Sequence, residues 1–351
     1  MNRYAALAGL PLTIDGYRLE GLRHRATAQF ERHSTLVRLV GRGSEGVGED
    51  VTYDAAAQAA FQGAGAAWPL AGEFTLESFS LRLDDHDFFP AGASDRASRD
   101  YRRWAFESAA LDLALRQAGR PLWELLGIEL RPLRFVSSMG LGDPPATTNL
   151  HGWRELYPDL GFKLDVGRSW DATLIEQLRA TGAVEVIDLK GAYKGTPVDL
   201  DPEPALYAAV LDGLPQAWVE DPAWTPDTEP LLEPHVDRIT WDAPIHSVDD
   251  IRGLRHKPRL INIKPSRFGR LSALFDAYDH CRDEGIAMYG GGQWELGVGR
   301  DQIQYLAALF HPEGPNDVAP RGFNAPQPAG GLPAGPWTPY PAAAGFGWSE
   351  S

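Results

Sequence analysis

Five charged residues stand at the ends of short apolar runs in the second half of the chain, where they could do acid–base or metal chemistry. They are Asp165, Asp188, Glu220, Asp242 and Lys264. Each follows the previous one by about the length of a strand and a helix, roughly 20–30 residues. The carboxyl ends of parallel strands meet at one edge, so these side chains are expected to converge on a single site.

Three of the acids, Asp188, Glu220 and Asp242, would come from consecutive strands. Carboxylates that close repel one another unless a cation lies between them. Oxygen ligands of this kind suit Mg²⁺, with Mn²⁺ as the alternative. Zinc prefers His and Cys clusters, and the nine histidines show neither H-x-H nor H-E-x-x-H spacing. The competing interpretation is that each acid is a helix cap or a solvated residue, but their matching positions favour a magnesium site.

Two lysines belong to the same strand ends. Lys264, in "INIKPSRFG", ends an apolar strand, and it either forms a salt bridge with Asp242 or acts as a base beside the metal. Lys163 and Asp165, in "GFKLDVG", are two residues apart and therefore point to the same side of a strand. The second strand thus places a cation and an anion side by side.

The order of predicted elements indicates an α/β fold. Residues 1–125 are predicted to form an α+β domain, residues 126–320 a closed (β/α) barrel, and residues 321–351 a segment that packs back across the first domain. The barrel prediction rests on amphipathic segments that alternate with eight predicted strands, at 134–140, 161–167, 184–191, 217–222, 238–245, 259–266, 285–292 and 316–320.

Composition narrows the class of protein. The 351 residues carry a formal net charge of -15 without a run of Lys or Arg, which argues against nucleic acid or an anionic membrane as partner. No apolar stretch is long enough to span a bilayer and no signal peptide is evident, so a cytoplasmic location is expected. The single cysteine, Cys281, is predicted to be a buried, inert thiol. A small-molecule substrate and a homo-oligomeric state are also expected.

The chain resembles the enolase superfamily. The resemblance is to the muconate lactonizing enzyme and o-succinylbenzoate synthase branch of the mandelate racemase/muconate lactonizing enzyme family. It is carried in order by "GVGED", "FESAALDLALRQAGRPLWELLG", "IDLKG", "WVEDP", "TWDAPI", "INIKPSRFGR" and "GGGQWELGVGR". It implies a TIM-like (β/α)7β barrel with an α+β capping domain that the C-terminal tail completes. It also implies a lyase or isomerase that removes the proton next to a carboxylate through a Mg²⁺-stabilised enediolate.

The resemblance also implies roles for individual residues. It makes Asp188, Glu220 and Asp242 metal ligands and Lys264 an acid/base on the sixth strand. By the same resemblance Trp294 and Glu295 touch the substrate. Two segments of the capping domain, 26–32 and 49–53, are expected to line the substrate site.

Two positions depart from this family. Its second strand usually carries Lys-x-Lys with the second lysine as base, whereas here Lys163 is followed by Asp165. Its third strand usually carries Asp-x-Asn, whereas here Asp188 is followed by Lys190. Relative to the family pattern, the second strand carries an acid in place of a lysine, and the third strand carries a lysine in place of an asparagine. We therefore predict that Asp165 and Lys190 form an ion pair, which keeps the local charge roughly unchanged.

Three mechanisms remain open after this exchange. Lys190 replaces the missing base, or Asp165 acts as base after burial raises its ordinary pKa of ~3.9, or Lys264 acts alone. The last mechanism permits a dehydration, another syn elimination or a cycloisomerization but not ordinary two-base racemization. Two other readings also stand: a Schiff-base, aldolase-like barrel that uses Lys264, and a barrel that binds a ligand without catalysis.

Overall fold

In its described residues, the first part of the chain forms two small antiparallel sheets and five α-helices. The computed structural model describes residues 2–25, 30–90, 92–93, 95–193 and 201–349. The strands here are β1 (Pro11–Ile14), β2 (Gly16–Arg25), β3 (Glu31–Gly41), β4 (Ser44–Asp50) and β5 (Gly72–Thr75). The helices are α1 (Ala5–Ala8), α2 (Ala55–Ala64), α3 (Leu76–Arg82), α4 (Arg96–Ala118) and α5 (Leu122–Leu126). Strands β2, β3 and β4 form one sheet in that order, and β1 pairs with β5.

Helix α4 packs directly on strand β4 because β4 carries glycine at the points of contact. It begins after Asp95, whose side chain accepts a hydrogen bond from Ser98 N at 2.8 Å, and it ends at Gly119. A Cβ atom on Gly46 would lie 2.3 Å from a backbone atom of α4, and a Cβ on Gly48 would lie 2.0 Å from another. The two glycines of the "GVGED" segment therefore let the helix approach the sheet.

The second part of the chain forms a parallel barrel. Its strands are β6 (Val136–Gly140), β7 (Gly161–Asp165), β8 (Val184–Asp188), β9 (Trp218–Glu220), β10 (Ile239–Thr240), β11 (Leu260–Ile263) and β12 (Ala287–Gly290). Its helices are α6 (Thr148–Leu156), α7 (Ala172–Thr181), α8 (Pro204–Gly213), α9 (Glu229–Leu232), α10 (Val248–Arg252), α11 (Pro265–Phe268), α12 (Leu271–Glu284) and α13 (Val298–Phe310). Strands β6 to β10 pair in sequence order, β11 pairs with β12, and Asn262 N donates to Trp241 O to join the two groups.

The predicted eighth strand, 316–320, is only partly formed. Bridges join Phe135 to Asn316 and Gly291 to Asp317, so this segment lies between the start of β6 and the end of β12. No strand longer than these bridges is assigned there among the described residues. Instead, the Asn316 side chain closes the barrel: its Oδ1 accepts from Gly290 N at 2.6 Å and its Nδ2 donates to Arg134 O at 2.9 Å.

Strand β7 shows how the sequence separates packing from chemistry. Phe162 and Leu164 are fully buried in an apolar cluster that includes Leu174 and Leu178 of α7. Lys163 lies between them in sequence and therefore points to the opposite face, inside the barrel. One face of the strand thus holds the surrounding helices, and the other delivers charge to the interior.

The C-terminal segment lies against the junction of α4 and α5. Gly345 forms a bridge with Pro121, and Phe346 N donates to the Asp112 carboxylate at 2.8 Å. The Trp348 ring lies 4.7 Å from the Tyr305 ring of α13. This tail therefore touches both the first domain and the last barrel helix.

The structure also bears on two further predictions from the sequence, one about Cys281 and one about membrane-spanning helices. Cys281 is fully buried, and burial raises the pKa of its thiol to about 12, as expected for an inert cysteine. Within the part of the chain that the structure describes, none of the helices combines the length and the hydropathy needed to cross a bilayer.

Burial of His311 predicts a pH-dependent stability. Its ring bonds Asn316 Oδ1 at 2.8 Å, and burial lowers its pKa from 6.5 to about 4. The unfolded chain therefore binds the proton more readily than the folded one. The stabilisation is complete above about pH 6.5, and on the order of 2–3 kcal/mol is lost as the pH falls to about 4.

Urea unfolding at several pH values measures this loss. In His311→Gln, the free energy of unfolding should fall less between pH 6.5 and pH 4 than it does in the wild type. The matched variant His151→Gln, at an exposed position on α6, should keep the wild-type loss. An unaltered pH profile in His311→Gln would refute this assignment.

Candidate active site

The register of three strands sets carboxylates side by side at the carboxyl edge of the barrel. Asp165 pairs with Asp188 across β7 and β8, and Asp188 pairs with Glu220 across β8 and β9. Asp188 and Glu220 are both 0% exposed. The convergence predicted from the spacing of strand ends is therefore present for these residues.

One buried group of acids in the described residues has the separation that a metal ion needs. Asp188, Glu220 and Asp221 each offer a carboxylate oxygen, and these oxygens lie within 4.8 Å of one another. Carboxylate oxygens are the ligands that Mg²⁺ prefers, and buried carboxylates without a compensating cation are costly. The donor set at this edge of the barrel therefore fits Mg²⁺.

Asp221 is a member of this group that the sequence pattern did not single out. Its φ is +48°, a conformation unusual for a residue other than glycine, and its two carboxylate oxygens accept from Asp242 N and Ala243 N, each at 2.8 Å. Burial, with the charges of Asp242 and Asp188, raises its pKa to about 7. Asp221 thus fixes the backbone that carries Asp242.

Asp242 is buried beside this group rather than within it. Its Oδ2 accepts from Lys264 Nζ and from Tyr193 Oη, each at 2.8 Å. Its Oδ1 accepts from an Arg267 guanidinium nitrogen at 2.8 Å. Burial alone would raise the pKa of Asp242, but the Arg267 and Lys264 cations hold it well below its usual value. The role of Asp242 as third metal ligand stays a prediction, and Arg267 and Tyr193 are contacts that the sequence did not reveal.

Lys163 is enclosed by carboxylates inside the barrel. Its ammonium donates to Glu220 Oε1, and it lies 3.4 Å from an Asp317 oxygen and 3.8 Å from an Asp188 oxygen. Burial alone would lower its pKa, but Glu220, Asp317 and Asp188 raise it well above the ordinary value. Lys163 therefore remains an ammonium that neutralises the acids around it.

The ion pair predicted between strands two and three is present. Lys190 Nζ lies 2.9 Å from Asp165 Oδ1 and also donates to Asp188 Oδ2. Burial alone would lower the pKa of Lys190, but Asp188 and Asp165 raise it well above its ordinary value. The cation that replaces the usual asparagine thus contacts both neighbouring acids, which is a poor setting for a base.

Lys264 follows β11 and, among the described residues, pairs with one acid. The residue is 8% exposed, and its ammonium donates to Asp242 Oδ2 at 2.8 Å. This contact with Asp242 is compatible with an acid–base role and with the Schiff-base alternative, because both require the neutral amine.

Backbone strain is concentrated around the site. Among the described residues, Arg42, Lys190, Asp221 and Trp294 are the residues other than glycine with a positive φ. Three of these four, Lys190, Asp221 and Trp294, follow barrel strands at the carboxyl edge, and such conformations cost about 1–3 kcal/mol each. Strained residues gather at functional sites, which supports this edge of the barrel as the active site.

The expected substrate residues lie on the loop between β12 and α13. Glu295 is 5% exposed, and its Oε1 accepts from Gln293 N at 2.7 Å. Trp294 is 38% exposed, and its ring lies 5.6 Å from that of Phe30, in the capping domain. Of the capping segments expected to line the site, residues 26–29 lie outside the described residues.

Comparison with known families supplies a classification. Residues 5–125 match the family described as "Domain of unknown function (DUF8230) N-terminal domain", and residues 129–325 match its C-terminal domain. The chain belongs to the DUF8230 family. The matched ranges divide it between the capping region and the barrel.

Two enzymes resemble this DUF8230 chain in sequence. The o-succinylbenzoate synthase of Geobacillus stearothermophilus is 29% identical over 228 residues, covering 61% of this chain and 58% of that enzyme. The N-succinylamino acid racemase of Thermus thermophilus is 25% identical over 304 residues, covering 83% of this chain and 79% of that enzyme. The chain therefore matches less than two thirds of the length of the first relative.

Solved structures confirm the fold. An enolase superfamily member from Listeria innocua superposes with a TM-score of 0.61 at 18% identity, covering 88% of this chain and 86% of that one. A dipeptide epimerase from Methylococcus capsulatus, solved in complex with a Mg ion, gives 0.60 at 18% identity, covering 86% and 88%. The predicted barrel with its capping domain is therefore confirmed as a fold that this chain shares with these solved structures.

Tyr289 provides a test of the polar network at the site. Its buried hydroxyl donates to Glu220 Oε2, and its removal leaves a buried carboxylate oxygen without that donor. Tyr289→Phe should therefore lower the free energy of unfolding by about 1–3 kcal/mol. Tyr278 is also fully buried, but its hydroxyl has no partner among the described residues, so Tyr278→Phe should change stability by less than about 0.5 kcal/mol. Urea unfolding of both variants checks the pair, and equal losses would contradict the assigned hydrogen bond.

Proposed function

We propose that the protein is a Mg²⁺-dependent lyase or isomerase that removes the proton next to the carboxylate of a small acid. The observation that carries this proposal is the buried group of Asp188, Glu220 and Asp221 at the strand ends of an enolase superfamily barrel, with Lys264 close by. The resemblance to enzymes over most of the chain supports catalysis rather than ligand binding alone.

Asp188 and Glu220 would hold the metal ion, with Asp242 as the third ligand. Asp221 contributes by fixing the main chain at Asp242 through two hydrogen bonds. When bound, Mg²⁺ would stabilise the negative charge that develops on the substrate carboxylate as the proton leaves. Although burial opposes them, the chain's own cations lower the pKa of two of these acids: Lys190 and Lys163 act on Asp188, and Arg267 and Lys264 act on Asp242. Burial raises the pKa of Glu220 despite the charge of Lys163, so a bound cation would favour its ionised form.

Lys264 is the proposed base. Lys163 is surrounded by three carboxylates and Lys190 by two, whereas Lys264 has one carboxylate partner. Among these three lysines, Lys264 is therefore the one with the fewest carboxylate contacts in the described residues. Lys264 would take the proton from one face of the substrate and deliver it to a leaving group or back to carbon. Elimination or cycloisomerization therefore suits the site better than two-base racemization.

The substrate is proposed to be a small carboxylate of the succinyl kind. The name of one relative points to N-succinylamino acids as the first compounds to try, whereas the other relative is named for o-succinylbenzoate as its product. Trp294 and Glu295 would contact the part of the substrate away from the reacting carbon, because they lie on the loop at the mouth of the barrel.

Proton exchange in heavy water tests the proposal before the fate of the substrate is known. N-succinylamino acids should take up deuterium at the carbon next to the amino acid carboxylate with enzyme and Mg²⁺, and a chelator should abolish the uptake. Lys264→Met should slow exchange by about 10²–10⁴-fold, the usual contribution of a positioned base. Lys257→Met, which removes an exposed lysine paired with Glu284, should not. Exchange at full rate in Lys264→Met, monitored by NMR, would exclude Lys264 as the base.

The stereochemistry of exchange tests the single-base mechanism. If Lys264 alone moves the proton, one enantiomer of an N-succinylamino acid should take up deuterium and keep its configuration, and the other should remain unlabelled. Chiral chromatography with mass spectrometry measures both properties. Conversion of either enantiomer into the other at the rate of exchange would require a second base on the opposite face.

A further inference from the structure

Arg32 of the capping domain is a buried cation that binds main-chain carbonyls of both domains. It is 1% exposed. Its guanidinium donates to Thr52 O at 2.9 Å and Val51 O at 2.6 Å in the capping domain, and to Gln293 O at 2.9 Å and Trp294 O at 3.2 Å in the barrel. Among the described residues it forms no ion pair with a carboxylate. A planar group with five donors can bind four carbonyls at once, which a lysine cannot do.

Glu49 contacts the same barrel loop with the opposite charge. It lies on β4, is 1% exposed and faces β3, where Ser34 Oγ donates to it at 2.6 Å. Its carboxylate also accepts from the backbone nitrogens of Leu296 at 2.6 Å, Gly297 at 2.9 Å and Gly299 at 3.0 Å. The acid therefore binds amides just beyond the two carbonyls that Arg32 binds.

We propose that Arg32 and Glu49 form a clamp by which the capping domain sets the position of loop 293–299. Arg32 holds the carbonyls at the start of this loop and Glu49 holds the amides at its end. The loop carries Trp294 and Glu295, so both clamp residues are positioning residues for the substrate contacts. This consequence rests on the proposed function, whereas the clamp itself rests on the contacts.

The local conformation of the loop explains why a clamp is needed. Trp294 has a φ of +59°, which a residue with a large side chain adopts only when its surroundings enforce it. The Glu295 carboxylate folds back over Gly292, where a Cβ atom would lie 2.1 Å from its Oε2. The two hydrogen bonds from Arg32 to Gln293 and Trp294 supply the restraint that this backbone requires.

Arg32 also contacts an aromatic residue of the capping domain. Its guanidinium carbon lies 4.2 Å from the centre of the Tyr53 ring, while its Nε donates to the main-chain carbonyl of Trp294 in the barrel loop. A change at Arg32 is therefore expected to affect Tyr53 as well as the loop, without a direct contact to the metal-site acids being lost.

Hydrogen–deuterium exchange of the full-length protein tests the clamp without a substrate. In Arg32→Lys and in Glu49→Gln, peptides covering residues 291–303 should exchange about tenfold faster, as expected for the loss of hydrogen bonds worth about 1–3 kcal/mol. Arg38→Lys is the matched control, because Arg38 lies on β3 and pairs with Glu45 on β4 but its recorded pairs stay within the capping domain. Its loop peptides should exchange like those of the wild type.

The pattern of exchange distinguishes a clamp from general support of the domain interface. Faster exchange confined to the loop and to 50–53 supports the clamp. The clamp is overturned if the loop exchanges at the wild-type rate in Arg32→Lys or in Glu49→Gln. It is also overturned if exchange rises equally throughout the capping strands.

Steady-state kinetics of Arg32→Lys test whether the clamp positions the substrate residues. With an N-succinylamino acid as probe, Arg32→Lys should raise KM several-fold and change kcat little, because the loop positions substrate but not the acids. A fall in kcat at constant KM would overturn the positioning role. If the wild-type protein exchanges no proton in any carboxylate, the proposed function fails, and the loop exchange alone still decides whether the clamp exists.

Discussion

The site depends on the balance of buried charge at the carboxyl edge of the barrel. Asp188, Glu220 and Asp242 each contact at least one cation there, supplied by Lys163, Lys190, Lys264 or Arg267. Asp221 is held by two backbone amides and has no ion pair among the described residues. Burying charges is tolerated only when they are paired or bind a metal. A divalent cation beside Asp188, Glu220 and Asp221 would complete this balance.

The two substitutions relative to the family pattern, Asp165 for a lysine and Lys190 for an asparagine, obey the same need for balanced charge. An acid on β7 in place of a lysine would add negative charge beside Asp188, and a lysine two residues after the end of β8 compensates it through an ion pair. The exchange keeps the charge of the site but changes its chemistry, because Lys190 is now held by two carboxylates. Lys264, on the other side of the site, keeps a single partner. The lyase or isomerase chemistry that we propose therefore uses one face of the substrate.

The sequence predicted what depends on local pattern and missed what depends on distant contacts. The spacing of apolar runs placed Asp188 and Glu220 correctly at neighbouring strand ends, because parallel strands bring their ends together whatever the loops contain. The spacing did not reveal Asp221. In an extended strand, the residue after Glu220 would point its side chain to the opposite face of the sheet, and the positive φ of Asp221 changes that direction. The eighth strand was overestimated, because Asn316 closes the barrel through its side chain as much as through its backbone. Arg32 and Glu49 act on a loop about 250 residues away, and no pattern along the chain signals such a contact.

The central claim is that side-chain oxygens at the ends of β8 and β9 bind a divalent cation. Anomalous diffraction from crystals grown with Mn²⁺ tests it most directly. The account predicts one strong anomalous peak with carboxylate oxygens of Asp188 and Glu220 about 2 Å away, and Lys190 withdrawn from Asp188. Crystals that show no peak at the barrel edge, with Lys190 still bound to Asp188 and Lys163 still bound to Glu220 at high Mn²⁺ concentration, would contradict it.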